Sequence, residues 1–346
     1  MTLNIVCRSK AYQRFGLIIR LKNLPLLINS TYLLMQLYLA PLQGLTDRVF
    51  RASFYENIGH FDKTFSPFIR VQNENFYRPT QCNDILATHN HFQKPIPQFL
   101  GNDAASFHKF EELCIENGYK EVNINMGCPY PMVTGKKMGA GLLAHPDLIS
   151  KLFESVFSQT KLRVSVKCRL GMENTNGFDE IIAILNQYPF EEVIIHPRIG
   201  KQQYKGEADM KAFAQFAPSV NHSVCYNGDI LTPEDVNQLV QLSPQTDKIM
   251  IGRGILRNPF LLSEIRGEKL TREEKVKMLR NFHLSMIENC GKKYSGDQHF
   301  LRHMVELWEY QSLAFEDGHK IFKAVKKCKT QSQYGEIIFA AINNYQ

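Results

Sequence analysis

The sequence has no pair of cysteines at C-x-x-C spacing, although it contains eight of them. Their scatter over positions 7, 82, 114, 128, 168, 225, 290 and 328 excludes a dense disulfide framework and argues against a structural zinc site. Free thiols in a reducing cytoplasm are the expectation. An uninterrupted apolar run is also lacking. Arg20 and Lys22 break Leu17–Leu27, and Asn29, Ser30 and Thr31 interrupt the uncharged stretch from Asn23 to Thr46, so neither a secretory core nor a membrane span is expected. Acidic residues are missing from the first 35 positions, which hold Arg8, Lys10, Arg14, Arg20 and Lys22. Of the net charge of +7, those five leave only +2 for the remainder. A whole-chain basic balance is therefore no evidence for nucleic-acid binding, and local patches must carry that case. Residues 1–34 read as an extension, with Met35 the expected start, because Gln36–Pro41 opens the first strand at once.

What is present suits one large core and a small satellite: 346 residues, 44% hydrophobic. Apolar, β-prone runs fall near 36–42, 64–71, 95–100, 121–127, 162–168, 192–197, 223–227 and 248–252. Helix-like stretches lie between most of them, at 103–117, 146–159, 178–187 and 233–241. Such alternation predicts an α/β fold, a parallel (β/α)8 TIM barrel over residues 35–260. An open doubly wound sheet is the competitor, but no G-x-G-x-x-G follows the first strand. After Pro259 the pattern becomes helical, which predicts a small all-helical domain over 261–346.

The chain is organised around Val122–Pro129, a β-branched strand that ends abruptly in Gly127-Cys128-Pro129. Cys128 is thereby delivered to a loop at a strand's carboxyl end, with the Asn125 amide beside it. The following residues, Tyr130–Gly141, contain three glycines and the pair Lys136-Lys137, a composition expected of a mobile cationic lid. A barrel demands functional groups where strands end. Pro41, Leu42 and Gln43 follow the first strand; Gln98 ends the third, Lys167 the fifth, and His196 and Arg198 the sixth. Asn227-Gly228-Asp229 and Gly252-Arg253 close the last two, where this fold commonly binds phosphate. Each residue has a plainer reading. Cys128 fits a small buried hydrophobe, Lys167 a charge paired with an acid, His196 a bonded core histidine, and the glycines simple turns. Polar groups at six strand ends in one register make that coincidence improbable.

Asn125-x-Gly127-Cys128-Pro129, His196-Pro197-Arg198 and Tyr204–Asp209, with the strand ends above, resemble the tRNA-dihydrouridine synthases from about Gln36 to Pro259. Pro197 departs from the small residue usual there. The resemblance implies an FMN-dependent, cytoplasmic oxidoreductase that takes electrons from NADPH or NADH and reduces a uridine in tRNA to dihydrouridine. It implies FMN contacts from Pro41, Leu42, Gln43, Gln98, Asn125, Lys167, His196, Asn227, Gly228, Asp229, Gly252 and Arg253. Cys128 is then the acid that protonates uracil C5 while the flavin delivers hydride to C6. The unperturbed thiol pKa of about 8.5 keeps that proton available.

For the tRNA, Lys136, Lys137 and Arg198 are candidate contacts near the cavity, and Lys320, Lys323 and Lys327 are candidates on a predicted helix over 320–329. On that helix Ile321, Val325 and Cys328 share one face and the lysines crowd the other. An ordinary solvated face is the alternative. His299 and His303, four apart, are expected to be two solvated histidines, since no H-E-x-x-H surrounds them. No metal, membrane or obligate protein partner is implied. A flavin barrel acting on a free pyrimidine, such as a dihydroorotate dehydrogenase, and a non-catalytic tRNA-binding protein are the rival readings.

Overall fold

A computed structural model describes residues 35–72 and 75–345. The expected extension, residues 1–34, lies outside the described residues; Met35, the expected start, is the first of them. Eight parallel strands form the barrel: β1 (Gln36–Leu39), β2 (Lys63–Thr64), β3 (Gln98–Phe99), β4 (Glu121–Met126), β5 (Arg163–Arg169), β6 (Glu192–His196), β7 (Ser223–Tyr226) and β8 (Lys248–Ile251). Strand β1 lies between β2 and β8, and the ladder runs on through β7, β6, β5 and β4 to β3. Parallel bridges Phe65–Ile96 and Ile69–Phe99 join β2 to β3 and close the circle.

Strands β2 and β3 are much shorter than the apolar runs around them. Pro67, Pro95 and Pro97 lack the N–H a ladder needs, so closure uses isolated bonds such as Ile96 N–H to Thr64 O, 2.7 Å, and Ile69 N–H to Gln98 O, 2.7 Å. Inside the barrel Tyr38, Ala40, Phe65, Ile194, Cys225 and Met250 pack as one buried layer. The Tyr38 hydroxyl donates to the buried Glu192 carboxylate at 3.0 Å, which gives the hydroxyl its partner in the barrel interior.

The outer helices start where capping residues stand. Asp47 accepts from Val49 N–H and Phe50 N–H to open α1 (Arg48–Asn57), and Asp103 accepts from Ser106 N–H to open α2 (Ala104–Glu116). Next come α3 (Pro146–Gln159), α4 (Phe178–Leu185), α5 (Met210–Phe216), α6 (Pro233–Leu242) and the short α7 (Arg253–Arg257). Thr232 with Asp235 forms the capping box of α6.

The carboxyl-terminal region is helical: α8 (Arg272–Lys293), α9 (Asp297–Gln311), α10 (Gly318–Val325) and α11 (Gln331–Asn343). Helix α8 lies on α1 of the barrel, with Phe282 edge-on to Phe50 and Phe54 at 5.8 and 6.3 Å. Lys293, half-buried, forms an ion pair with the buried Asp47. Burial alone would raise the Asp47 pKa, but the charges of Lys293 and His303 and the donated hydrogen bonds hold it down at about 2.

Two expectations need correction in this region. Helix α10 stops at Val325 because the chain tightens into turns, Lys327 N–H to Ala324 O at 3.0 Å and Cys328 N–H to Val325 O at 3.2 Å. Lys327 thus projects from a turn, while Lys320 and Lys323 remain on the helix, all three exposed. His303 is buried against Tyr294, with ring centroids 5.6 Å apart, because α9 turns that face inward; only His299 is solvated. Among the described residues no helix is long and apolar enough to cross a membrane, and no group of three or more metal-ligating side chains occurs.

Candidate active site

Parallel register decides which strand-end residues meet. Asn125 of β4 lies opposite Lys167 of β5, and Arg169 of β5 opposite His196 of β6. At the end of β4 the Asn125 Oδ1 accepts from Gly127 N–H and Cys128 N–H, each at 2.9 Å, and so bends the chain out of the sheet. Its Nδ2 donates to Gln98 Oε1 at 2.7 Å, and Gln98 Nε2 donates to Asn123 Oδ1 at 2.8 Å. Gln98 is fully buried with both ends of its amide engaged, so it positions Asn125 from beneath the cavity.

Cys128 is 8% exposed and packs with Leu100, Val133 and Met138. Burial pushes its thiol up; the Tyr130 backbone N–H and the charges of Arg169 and Lys167 only partly oppose this. The side chain is therefore a protonated thiol at neutral pH.

The expected lid after Cys128 is instead a buttress. Residues 139–143 are buried, and Ala140 N–H donates to the Cys128 carbonyl at 2.9 Å. Gly139 is there for close approach, with φ of +57° and room for no Cβ, which would stand 2.6 Å from the Cys128 carbonyl oxygen. Lys136 and Lys137 stay exposed on the outer side of this turn.

Lys167 projects from β5 with no carboxylate in ion-pair contact among the described residues, so the paired-charge reading fails. Burial first, then the Arg169 charge, lowers its pKa to about 8. Arg169, two residues on and on the same strand face, is buried with Nε donating to Gly127 O and Nη1 to Ile199 O, both at 2.9 Å. Burial brings its pKa down to about 10.

The His196 Nε2 lies 3.0 Å from Arg198 Nη1. A guanidinium only donates, so Nε2 accepts and a neutral ring carries its proton on Nδ1. Burial and the charges of Lys167, Arg169, Arg198 and Arg253 also hold this histidine well below its ordinary value.

Arg198 itself corrects the expectation of an RNA contact. Its side chain is 1% exposed and paired with the Asp229 carboxylate, with Nη2 also donating to Gly206 O at 2.6 Å. A phosphate would have to displace Asp229 to reach it. Arg253 Nη2 donates to the other Asp229 oxygen at 2.7 Å. Burial would raise the Asp229 carboxyl, but the bond and charge of Arg198 outweigh it and keep the group below its usual range.

Asn227 ties its Nδ2 to Met250 O at 2.7 Å, which sets the spacing of β7 and β8. A Cβ at Gly228 would meet the Tyr226 hydroxyl at 2.0 Å, and one at Gly254 would meet the Ile230 carbonyl at 2.0 Å. Both close approaches therefore require glycine.

These groups surround two joined cavities at the carboxyl ends of the strands. One, of about 130 Å³, is lined by Pro41, Leu42, Gln43, Asn125, Cys128 and Lys167 among others. The second, of about 70 Å³, reaches Asn227, Gly228, Asp229, Gly252 and Arg253; Lys167, His196, Tyr204 and Arg253 border both. Four cations (Lys167, Arg169, Arg198 and Arg253) and one carboxylate (Asp229) line the pair, so the cavity is electropositive.

Several participants have no role in the sequence reading. The Tyr204 ring is flanked by Arg169 at 5.4 Å and Arg253 at 5.0 Å. Tyr130 and Tyr310 complete a rim of three tyrosines, and a larger cleft of about 740 Å³ adjoins at Tyr204, Arg253 and Tyr310. Period-two alternation from Lys167 marks Arg169 in the sequence. Nothing local marks Tyr310, which arrives from α9 in the helical region.

A closed parallel barrel with an acid-poor polar cavity at its carboxyl-end mouth, holding a thiol and an unpaired lysine, has the architecture of a barrel enzyme. The family model described as "Dihydrouridine synthase (Dus)" matches residues 38–343, and the chain belongs to that family. It is 28% identical over 297 residues to "tRNA-dihydrouridine synthase B" of Pasteurella multocida, covering 85% of this chain and 83% of that one. It is 30% identical over 262 residues to "tRNA-dihydrouridine(16) synthase" of Pseudomonas syringae pv. tomato, covering 72% and 82%. The enzyme of the same name from Neisseria meningitidis is 24% identical over 319 residues, covering 88% and 94%.

Proposed function

We propose that this protein is an FMN-dependent tRNA-dihydrouridine synthase that draws electrons from NADPH and reduces the C5=C6 bond of a uridine in tRNA. The observation that carries the reading is the buried Cys128 thiol on the wall of a cavity that Lys167, on the neighbouring strand, also lines without a carboxylate partner. An unpaired cation at Lys167 suits an anionic ring, and the Arg253 guanidinium beside Gly228 and Gly252 suits its phosphate. Lys167, His196 and Asn125 would hold the ring; Gly228, Gly252 and Arg253 would hold the phosphate, with Asp229 fixing Arg253 in place. Pro41, Leu42 and Gln43 would cover the ring from the β1 side.

When bound, FMN supplies hydride to uracil C6, chemistry that no amino-acid side chain provides. Cys128 then donates its proton to C5, where negative charge collects. Its raised pKa suits a group that must remain protonated until that moment. The neutral His196 donates only from Nδ1, so it hydrogen-bonds without adding charge.

A uridine stacked in tRNA must be extruded to reach Cys128, at a cost of a few kcal/mol. Phosphate contacts from Lys136 and Lys137 beside the cavity, and from Lys323 and Lys327 on the helical region, offset it. Lys320 contributes less, since Asp317 pairs with it at 2.7 Å. On this reading residues 35–260 are the catalytic domain and 261–346 the tRNA-binding domain.

The test is a spectrum followed by an assay. The purified protein should be yellow, show flavin bands, and lose them on NADPH addition. Its reduced form should be reoxidised by tRNA and not by free uracil or orotate. A colourless protein would support the non-catalytic reading, and reoxidation by orotate would support a pyrimidine dehydrogenase.

A further inference from the structure

Met132 has 74% of its surface exposed, more than any other exposed large hydrophobic among the described residues, and it stands four residues beyond Cys128. The turn that carries it is rigid. Val133, its neighbour, is buried against Leu100, Cys128 and Met138. Backbone bonds run from Val133 N–H to Tyr130 O at 2.8 Å, from Gly135 N–H to Pro131 O at 2.9 Å and from Met138 N–H to Val133 O at 3.3 Å. Asn102 Nδ2 holds the Lys136 carbonyl at 3.0 Å. With Val133 anchored inward, Met132 is left pointing to solvent beside Tyr130, which lines the cavity, and the exposed Lys136 and Lys137 flank it. A long apolar side chain on a stiff support, between a base-sized cavity and two cations, has the form of the wedges that proteins insert into nucleic-acid stacks.

Resting on the function proposed above, we propose that Met132 is a positioning residue that enters the stacking gap left when the target uridine moves into the cavity. Lys136 and Lys137 hold the neighbouring phosphates. The wedge keeps the stack from closing and so prolongs the time the uracil spends against Cys128. Folding draws nothing from so exposed a side chain, so its replacement tests the role cleanly.

The experiment uses the whole flavin-loaded chain and tRNA carrying 2-aminopurine next to the uridine that the wild type converts. Wild-type binding should raise 2-aminopurine fluorescence as the stack opens. Met132→Ala should bind tRNA with little change in Kd and be reduced by NADPH at the normal rate. It should show a smaller fluorescence rise and convert bound uridine about 10- to 100-fold more slowly. Met132→Leu, equally apolar, should restore both. Wild-type conversion by Met132→Ala would overturn the wedge, as would weaker tRNA binding with an unchanged rate of bound conversion. If the wild type carries flavin yet converts no uridine in any tRNA, the functional reading falls and the wedge with it.

Discussion

Lys167→Met should make the FMN-free protein more stable and at the same time unable to retain its cofactor. The ammonium is held at a pKa of about 8 against an ordinary 10.5, because it is buried and faces Arg169. Each pKa unit corresponds to ~1.4 kcal/mol, so keeping Lys167 charged in the fold costs at most about 3 kcal/mol at neutral pH. Partial exposure of the side chain reduces this to about 2 kcal/mol. The sign follows from linkage. Between pH 8 and 10.5 the unfolded chain binds the extra proton, so the wild type gains stability as pH rises through that window. The variant lacks this gain. Its advantage should therefore be full below pH 8, roughly 3 °C in Tm, and should fade towards pH 10.5. Thermal melts of both FMN-free proteins at pH 7 and pH 10 measure the difference, and equilibrium dialysis measures FMN affinity. A Lys167→Met protein that melts no higher than wild type at pH 7 would refute the unpaired, cofactor-directed lysine.

Cys128→Ala and Cys128→Ser should keep flavin and accept electrons from NADPH, yet be oxidised by tRNA about 10²–10⁴-fold more slowly in single turnovers. Wild-type rates in the alanine variant would remove the acid role. Arg253→Ala should weaken flavin retention by removing a charge-assisted phosphate contact, while Arg198 continues to hold Asp229; full occupancy after gel filtration would place the phosphate elsewhere. Neutralising Lys323 and Lys327 together should weaken tRNA binding and flatten its dependence on salt, while NADPH still reduces the flavin normally. Unchanged affinity would return these lysines to ordinary solvated surface.

The barrel was legible in the sequence because short β-prone segments recur between helix-like stretches: Val193–Ile195 reads as a continuous apolar run, and Val122–Met126 as apolar residues alternating with Asn123 and Asn125. The family signature around Cys128 was legible for a related reason: the strand end, the Asn125 amide and the Gly-Cys-Pro turn are neighbours in the chain, so one short segment carries the whole geometry. The partners of the charged residues were not. Nothing near Arg198 indicates that Asp229, 31 positions on, consumes its guanidinium, and nothing near Lys167 indicates that no acid reaches it. The glycines after Cys128 suggested mobility, yet the tertiary structure uses Gly139 for contact, because the Cys128 carbonyl leaves no room for a Cβ. Tyr310 reaches the cavity only through the docking of the helical region, and His303 is buried by the way α9 turns. Periodicity and caps are local, so the chain alone determined its strands, its helices and the place of the thiol. Closing the barrel and packing α8 and α9 against it decided which charges are neutralised, which stay free, and which aromatic rings rim the site.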